Sequence, residues 1–218
     1  MMPESSGKNF KINNLINLKN MKKQLNLITL LIILTSLTSC VGIRSDKYSA
    51  IKPEELKVAS VKKSKIFINW GFHTTLIDNP QQNVIDKAKS DQKKFFTDVI
   101  KESGCCDIVS EKEEADILID GTFYNESSKL GIYAAFVSGL TFTAIPCWTN
   151  SKMRIAATAN KGKITKDYEI KDSVFTAIWA PLIVATPFAN AITAESEVNK
   201  NLYKTLVAQM KKDGFFNK

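Results

Sequence analysis

The chain has 218 residues, of which 44% are hydrophobic and 24% charged, with a formal net charge of +8. This composition excludes a disordered or fibrous protein and fits one globular domain with its own core. Five lysines against one glutamate lie in residues 1–39, so the rest of the chain is only mildly basic. We therefore expect no nucleic acid among its partners.

Residues 21–39 have the pattern of a secretory signal peptide. Lys22 and Lys23 precede a short apolar core at residues 27–34. This core is shorter than the ~20 apolar residues that a membrane-spanning helix needs. Small and polar residues follow it, as before a signal-peptide cleavage site. We predict that residues 1–39 are a leader and that translation starts at Met21.

The leader ends in Leu37, Thr38, Ser39 and Cys40. This ending resembles the lipobox of bacterial lipoproteins. The resemblance implies that signal peptidase II cuts before Cys40 and that Cys40 carries the lipid, which palmitate labels. Val41 follows where aspartate would mark inner-membrane retention in Gram-negative lipoproteins, so the outer membrane is favoured. The resemblance implies a lipid-anchored envelope protein that faces the periplasm, with no cofactor other than the covalent lipid.

The elements of the mature chain are predicted in the order β-α-β-β-β-β-α. Residues 40–64, which are polar and lysine-rich, are expected to be a tether, and residues 65–218 to be the periplasmic domain. Runs of β-branched and aromatic residues predict strands, and apolar residues at helical spacing predict helices. The strands are expected at residues 65–70, 105–109, 115–125, 153–159 and 164–170, and the helices at residues 80–103 and 195–212.

This order predicts a single α/β (α+β) domain, with two main helices on a mixed or antiparallel sheet of four to five strands. The start of the first helix is expected at Asn79, as N-cap, followed by Pro80. Gly104 is expected to end it. The last two strands are predicted to form a hairpin around Lys161 and Gly162.

Two stretches of 22 residues, 130–151 and 173–194, contain no charge. Each is long enough to cross ~30 Å of hydrocarbon. They could be buried core elements, or a pair that spans or dips into the membrane with Trp148 and Trp179 near its interface. They could also be hairpins that several subunits contribute to one pore, which resembles the lipoprotein channel that secretes curli subunits. Residues 177–185 do not alternate as pore-forming strands do, which argues against the hairpins. Helical spans would conflict with the outer-membrane location that Val41 favours, so the buried core is favoured.

Residues with catalytic or metal-binding chemistry are sparse. The single histidine, His73, lies in a segment that is predicted to be a loop, where a surface or capping role is expected. No nucleophile elbow, phosphate-binding loop or zinc-protease motif occurs. We predict no catalytic residue and no metal site, and a periplasmic hydrolase that uses two carboxylates stays as an alternative.

Three cysteines remain after Cys40. An oxidising periplasm favours one disulfide, and adjacent cysteines rarely bond to each other because the geometry is strained. We therefore predict a disulfide between Cys147 and either Cys105 or Cys106, with three free buried residues as the alternative. Adjacent cysteines also lack the spacing of a zinc site.

The run ADILIDGT at residues 115–122 resembles a strand of small, uncharacterised periplasmic lipoproteins. In those proteins a Gly-Leu pair and a proline follow, here Gly139, Leu140 and Pro146. This resemblance implies an α/β fold and names no activity.

We expect a non-enzymatic, lipid-anchored protein that binds or assembles with another envelope protein or with itself. The main alternative is a subunit of an oligomeric membrane pore or of a secretion or transport complex. That alternative would use residues 130–151 and 173–194.

Overall fold

The computed structural model describes residues 24, 40–58, 63–76, 78–141, 143–185 and 188–216. The predicted start at Met21 and the lipobox residues before Cys40 lie outside these ranges. The strands in them are β1 (Cys40–Arg44), β2 (Ser64–Thr74), β3 (Cys106–Ile108), β4 (Ile117–Ser127), β5 (Cys147–Lys161) and β6 (Ile164–Ile178). The α-helices are α1 (Pro53–Leu56), α2 (Gln82–Ser103), α3 (Lys129–Leu140) and α4 (Ala191–Lys212), and two 3-10 helices span Lys112–Glu114 and Ala180–Val184.

The strands form one mixed sheet in the order β1-β6-β5-β4-β2-β3. β2 runs parallel to β3 and β4, whereas the β4–β5, β5–β6 and β6–β1 pairs are antiparallel. The predicted α+β class is confirmed. The strand number is corrected to six in the described part of the chain, because β1 was not predicted.

The elements lie close to their predicted positions but differ in length. α2 begins at Gln82 with Gln81 as N-cap, and the predicted N-cap Asn79 instead has a left-handed backbone, with φ of 50°. The hairpin around Gly162 is confirmed, and its strands pair over 15 residues each, beyond both predicted ranges. His73 lies within β2 and not in a loop, so that prediction was wrong.

The predicted tether at residues 40–64 is corrected, because much of it is part of the domain. β1 pairs with β6 along five residues. Beyond β1, the side chain of Asn201 on α4 hydrogen-bonds the backbone of Tyr48, Ser49 and Ile51. Leu56 of α1 is fully buried in the core. Polar composition predicted a tether, but backbone pairing at a sheet edge does not require apolar side chains.

The core lies between one face of the sheet and the helices α2 and α4. The rings of Trp70, Phe96 and Tyr203 meet there, with centroids 4.8–5.6 Å apart. The Trp70 Nε1–H donates to the Tyr203 hydroxyl at 3.1 Å, and that hydroxyl donates to Gln92 Oε1 at 2.9 Å. These two hydrogen bonds satisfy three buried polar groups in an otherwise apolar core.

The predicted disulfide does not form, because all four cysteines are free. Cys106 begins β3 at one edge of the sheet, and Cys147 begins β5, three strands away in the sheet order. Three inter-strand spacings amount to ~14 Å, which exceeds the Cα separation that a disulfide can bridge. Cys105, Cys106 and Cys147 are instead buried free thiols, the alternative that the sequence left open.

Candidate functional site

The predicted lipidation residue, Cys40, is the first residue of β1. It pairs with Ile178 of β6, and Ile178 pairs on its other side with Cys147 of β5. The side chain of Cys40 is partly buried. Burial raises the pKa of the Cys40 thiol, and the neighbouring Cys147 adds to the effect. Cys40 therefore occupies a fixed position at one end of the sheet.

Helix α3 covers this end of the sheet from one side. Gly131 packs on Thr149 of β5 so closely that a Cβ atom at Gly131 would lie 2.4 Å from the Thr149 hydroxyl oxygen. Thr149 pairs with Thr176, and Thr176 pairs with Gly42. A Cβ atom at Gly42 would point at Ala191 of α4. Directly paired residues point to the same face, so α3 and α4 lie on the same side of the sheet.

The outer surface of α3 is apolar and exposed. Its large exposed side chains have between 46% and 77% of their surface accessible, and they are Leu130, Tyr133, Phe136, Val137 and Leu140. α3 comprises the first half of the uncharged segment 130–151. The buried-core interpretation is therefore wrong for this part of the segment, because its side chains face away from the core.

The opposite face of the sheet is also apolar at this end. Ile43 pairs with Phe175, and Val41 with Ala177, which pairs in turn with Trp148. Ile43, Trp148 and Phe175 are exposed, as are Trp179 and Phe188 beyond β6. We call these five residues, together with the exposed residues of α3 and Ile145, the apolar end. It surrounds the position of Cys40 on both faces of the sheet.

Basic residues border the apolar end on the open face of the sheet. A cavity of about 280 Å³ there is lined by several charged side chains. Its cations are Lys47, Lys152, Arg154 and Lys171, which we call the basic cluster, and its anions are Glu126 and Asp172.

Arg154 connects several members of this charged region. Its guanidinium lies 3.8 Å from the ring centroid of Tyr124 and 3.5 Å from carboxylate oxygens of Glu126 and Glu169. Lys171, 2.8 Å from Glu169, holds the pKa of that carboxyl below its usual value, and Arg154 contributes to the effect. Cations still outnumber anions along the cavity, so its rim attracts anionic groups.

Asp172 is the buried member of this region. It accepts hydrogen bonds from the Ser45 hydroxyl and from the Ser173 backbone N–H. The bond from Ser45 holds the chain just after β1 against β6, together with the bond from Ser45 N–H to the Ser173 carbonyl. Lys47, two residues after Ser45, lies at the rim of the cavity.

Two features of the described residues bear on earlier expectations. None of the helices there is both long and apolar enough to cross a membrane. No three histidine, cysteine, aspartate or glutamate side chains in that part of the chain are grouped so that they could hold a metal ion. His73 contacts the ring of Tyr124, with centroids 5.6 Å apart, on the open face of the sheet.

The sequence located the segments of this site but not their arrangement. The lipobox indicated Cys40, and the two uncharged segments drew attention to Trp148 and Trp179. That these three residues lie at one end of the sheet depends on β1 pairing with β6, which joins residues 130 to 138 positions apart. The basic cluster was missed, because its members are scattered lysines and one arginine on three chain segments.

No protein-family model matches this chain, and no curated protein matches its sequence.

Proposed function

We propose that this protein is a non-enzymatic lipoprotein of the cell envelope, anchored through a lipid on Cys40, which binds or assembles with another envelope component. The observation that carries the proposal is the position of Cys40 at the apolar end of the domain. Both faces of the sheet expose apolar side chains there. An anchor at this point holds the apolar end at the membrane.

The exposed surfaces support a binding role. A monomeric soluble domain rarely exposes a large contiguous apolar surface unless a partner or a membrane covers it. The basic cluster gives the neighbouring surface a second, electrostatic mode of contact. An anchored protein of this kind acts by holding a partner at the envelope, most simply at the periplasmic side of the outer membrane.

The anchor is tested by labelling cells with an alkyne analogue of palmitate. We expect the wild-type protein to be labelled and the Cys40→Ala variant to be unlabelled and longer by its uncleaved leader. The matched control is Cys147→Ala, which removes the thiol that pairs with the same residue of β6 and should leave labelling intact. Persistent labelling of Cys40→Ala would disprove the anchor.

The partner is tested with photo-crosslinking side chains placed at Lys152 and at Phe136 in intact cells. We expect a discrete crosslinked species from at least one of these positions and none from Val84, which is exposed on α2. The absence of any crosslinked protein from both positions would argue against a binding role.

A second candidate is a subunit of an oligomeric pore or transport complex. It is favoured by the exposure of apolar residues from both uncharged segments. Detergent-extracted protein of this kind would run as a discrete oligomer whose size falls when Phe136 and Trp148 are changed to serine. A monomer in mild detergent would exclude it.

A further inference from the structure

We infer that the apolar end enters the lipid leaflet that holds the Cys40 anchor, to the depth of the upper acyl chains. The basic cluster would then lie at the level of anionic headgroups. This inference rests on the proposed anchor at Cys40 and deepens it, because it names lipid as the occupant of the apolar surface.

The first argument is position. Cys40 is the first residue of β1, and β1 contacts the 3-10 helix Ala180–Val184, so no free tether separates the lipid from the sheet. Directly paired strands lie ~4.8 Å apart, which places β6 and β5 within ~10 Å of the anchored strand. When the lipid is in the bilayer, the side chains next to Cys40 must lie at the bilayer surface.

The second argument is the shape of the exposed surface. Leu130, Phe136 and Leu140 are exposed on the α3 side of the sheet, and Trp148 and Phe175 on the opposite face. A single protein partner with a flat surface would cover one of these two faces and leave the other in water. A fluid apolar medium contacts both faces at once, which favours lipid over a single docked protein.

The third argument is the order of residues along the strands. The uncharged segments contribute two tryptophans, a residue type that is enriched where a membrane meets water. From Phe175, the next open-face row contains Lys152 and the row after that contains Lys171 and Arg154. At ~3.4 Å per residue these rows lie about 7 and 14 Å from Phe175. Interfacial helices bury their apolar face to a depth of ~5–10 Å, so the first row lies within that depth and the second beyond it.

Along the open face, the rows of Trp148 and Phe175 are thus followed by rows of cations, an order that matches the cross-section of a leaflet with anionic headgroups. Glu126, Glu169 and Asp172 lie among these cations, and the first two are paired with Arg154. The exposed cations Lys152 and Lys171 extend the cluster toward the headgroups, where each one adds attraction to an anionic surface.

The test uses the lipidated protein in vesicles of phosphatidylethanolamine and phosphatidylglycerol whose acyl chains are brominated near the headgroup. Bromine quenches tryptophan fluorescence only on contact. We expect strong quenching in the wild type, because Trp148 and Trp179 are exposed at the apolar end. The control is the Trp148→Phe and Trp179→Phe double variant, whose only tryptophan, Trp70, is 1% exposed and should not be quenched.

A second pair of variants tests the helix side. Leu130→Glu with Phe136→Glu places two carboxylates on exposed positions of α3 and should reduce the quenching of Trp148 without changing the unfolding midpoint. The matched control, Ile164→Glu, alters an exposed apolar residue at the other end of the β5–β6 hairpin and should leave quenching unchanged. We also expect weaker quenching in vesicles that lack the anionic lipid.

Wild-type protein that floats with the vesicles but shows no tryptophan quenching would overturn the inference while leaving the Cys40 anchor intact. Unquenched protein with crosslinks between copies through α3 would assign the apolar end to self-association. Protein that carries no lipid and fails to float would overturn the anchor and this inference together.

Discussion

Cys40 of β1 and Cys147 of β5 lie on either side of the same residue, Ile178 of β6. Two inter-strand spacings, ~10 Å in all, separate their backbones, and a disulfide requires Cα atoms within ~7 Å. With Cys105 and Cys106 at the far side of the sheet, each described thiol lacks a bonding partner. We therefore predict that the protein purified from an oxidising compartment contains no intramolecular disulfide. Non-reducing peptide mapping that finds Cys147 linked to Cys105 or Cys106 would contradict the fold at this point.

Cys106 should also react slowly with alkylating reagents in the folded protein. A hydrogen bond with Cys105, followed by burial, raises the pKa of the Cys106 thiol far above its ordinary value. Because the thiolate is the reactive form, Cys106 should be alkylated at pH 8 only as the protein unfolds. Mass spectrometry of iodoacetamide-treated protein, with and without urea, measures this difference. Rapid labelling of native Cys106 would be inconsistent with its environment.

The buried hydroxyl of Tyr203 is predicted to stabilise the core. Tyr203→Phe removes the group that accepts from Trp70 Nε1–H and donates to Gln92 Oε1. Both partners are then unsatisfied in the core, at a cost of about 1–3 kcal/mol in the free energy of unfolding. Urea unfolding followed by tryptophan fluorescence measures this loss. The control is Tyr133→Phe, which alters an exposed hydroxyl on α3 and should change stability by less than ~0.5 kcal/mol.

The sequence predicted elements well where the signal is local. Apolar spacing and Gly104, which has a left-handed φ of 67°, predicted α2 and its end. Lys161 and Gly162 predicted the hairpin turn. The exact start of α2 was missed. Asparagine is common both as a helix N-cap and in left-handed turns, and Asn79 adopts the left-handed turn conformation.

Two features could not be predicted, because they depend on contacts far apart in sequence. β1 is a short run next to the leader, and only its pairing with β6 makes it a strand. α3 is apolar around most of its circumference, so its sequence has no stripe that would show which side faces the core. The site combines these two features, and so the structure was needed to bring Cys40 and the uncharged segments together.

Asn201 of α4 is predicted to hold the chain between β1 and α1 in place. Its Oδ1 accepts from the Ile51 N–H at 3.1 Å, and its Nδ2 donates to the carbonyls of Tyr48 and Ser49 at 3.2 and 3.3 Å. Asn201→Ala should lower the free energy of unfolding by about 1–3 kcal/mol and speed amide exchange at residues 48–51. Asn201→Asp should be at least as damaging, since a carboxylate would then face two carbonyl oxygens.

Hydrogen–deuterium exchange read by mass spectrometry locates the effect of these substitutions. The matched control is Lys200→Ala on the same helix, which removes only an exposed ion pair with Glu102 and should cost at most ~1 kcal/mol. If exchange at residues 48–51 were equally fast in the wild type and in Asn201→Ala, the segment would not depend on this side chain.

Asp213, just after α4, makes the stability of the domain depend on pH. Its carboxylate accepts hydrogen bonds from Lys166 Nζ at 3.0 Å and from the Tyr168 hydroxyl at 2.9 Å. The bond from Lys166, and next the bond from Tyr168, lower the pKa of Asp213 in the folded protein. A carboxyl group whose pKa is lower in the folded than in the unfolded state stabilises the fold when ionised. This contribution is complete above the unfolded-state pKa of about 4 and is lost as the pH falls through the folded-state pKa.

We therefore expect Asp213→Asn to lower the urea midpoint at pH 7, where the wild type has the full contribution. The difference between wild type and variant should shrink as the pH falls below about 4, because the wild type then loses its carboxylate as well. Asp91→Asn on α2 is the control for the loss of one negative charge. A gap between wild type and Asp213→Asn that stays constant from pH 7 to acid would show that the hydrogen bonds do not depend on the ionised carboxylate.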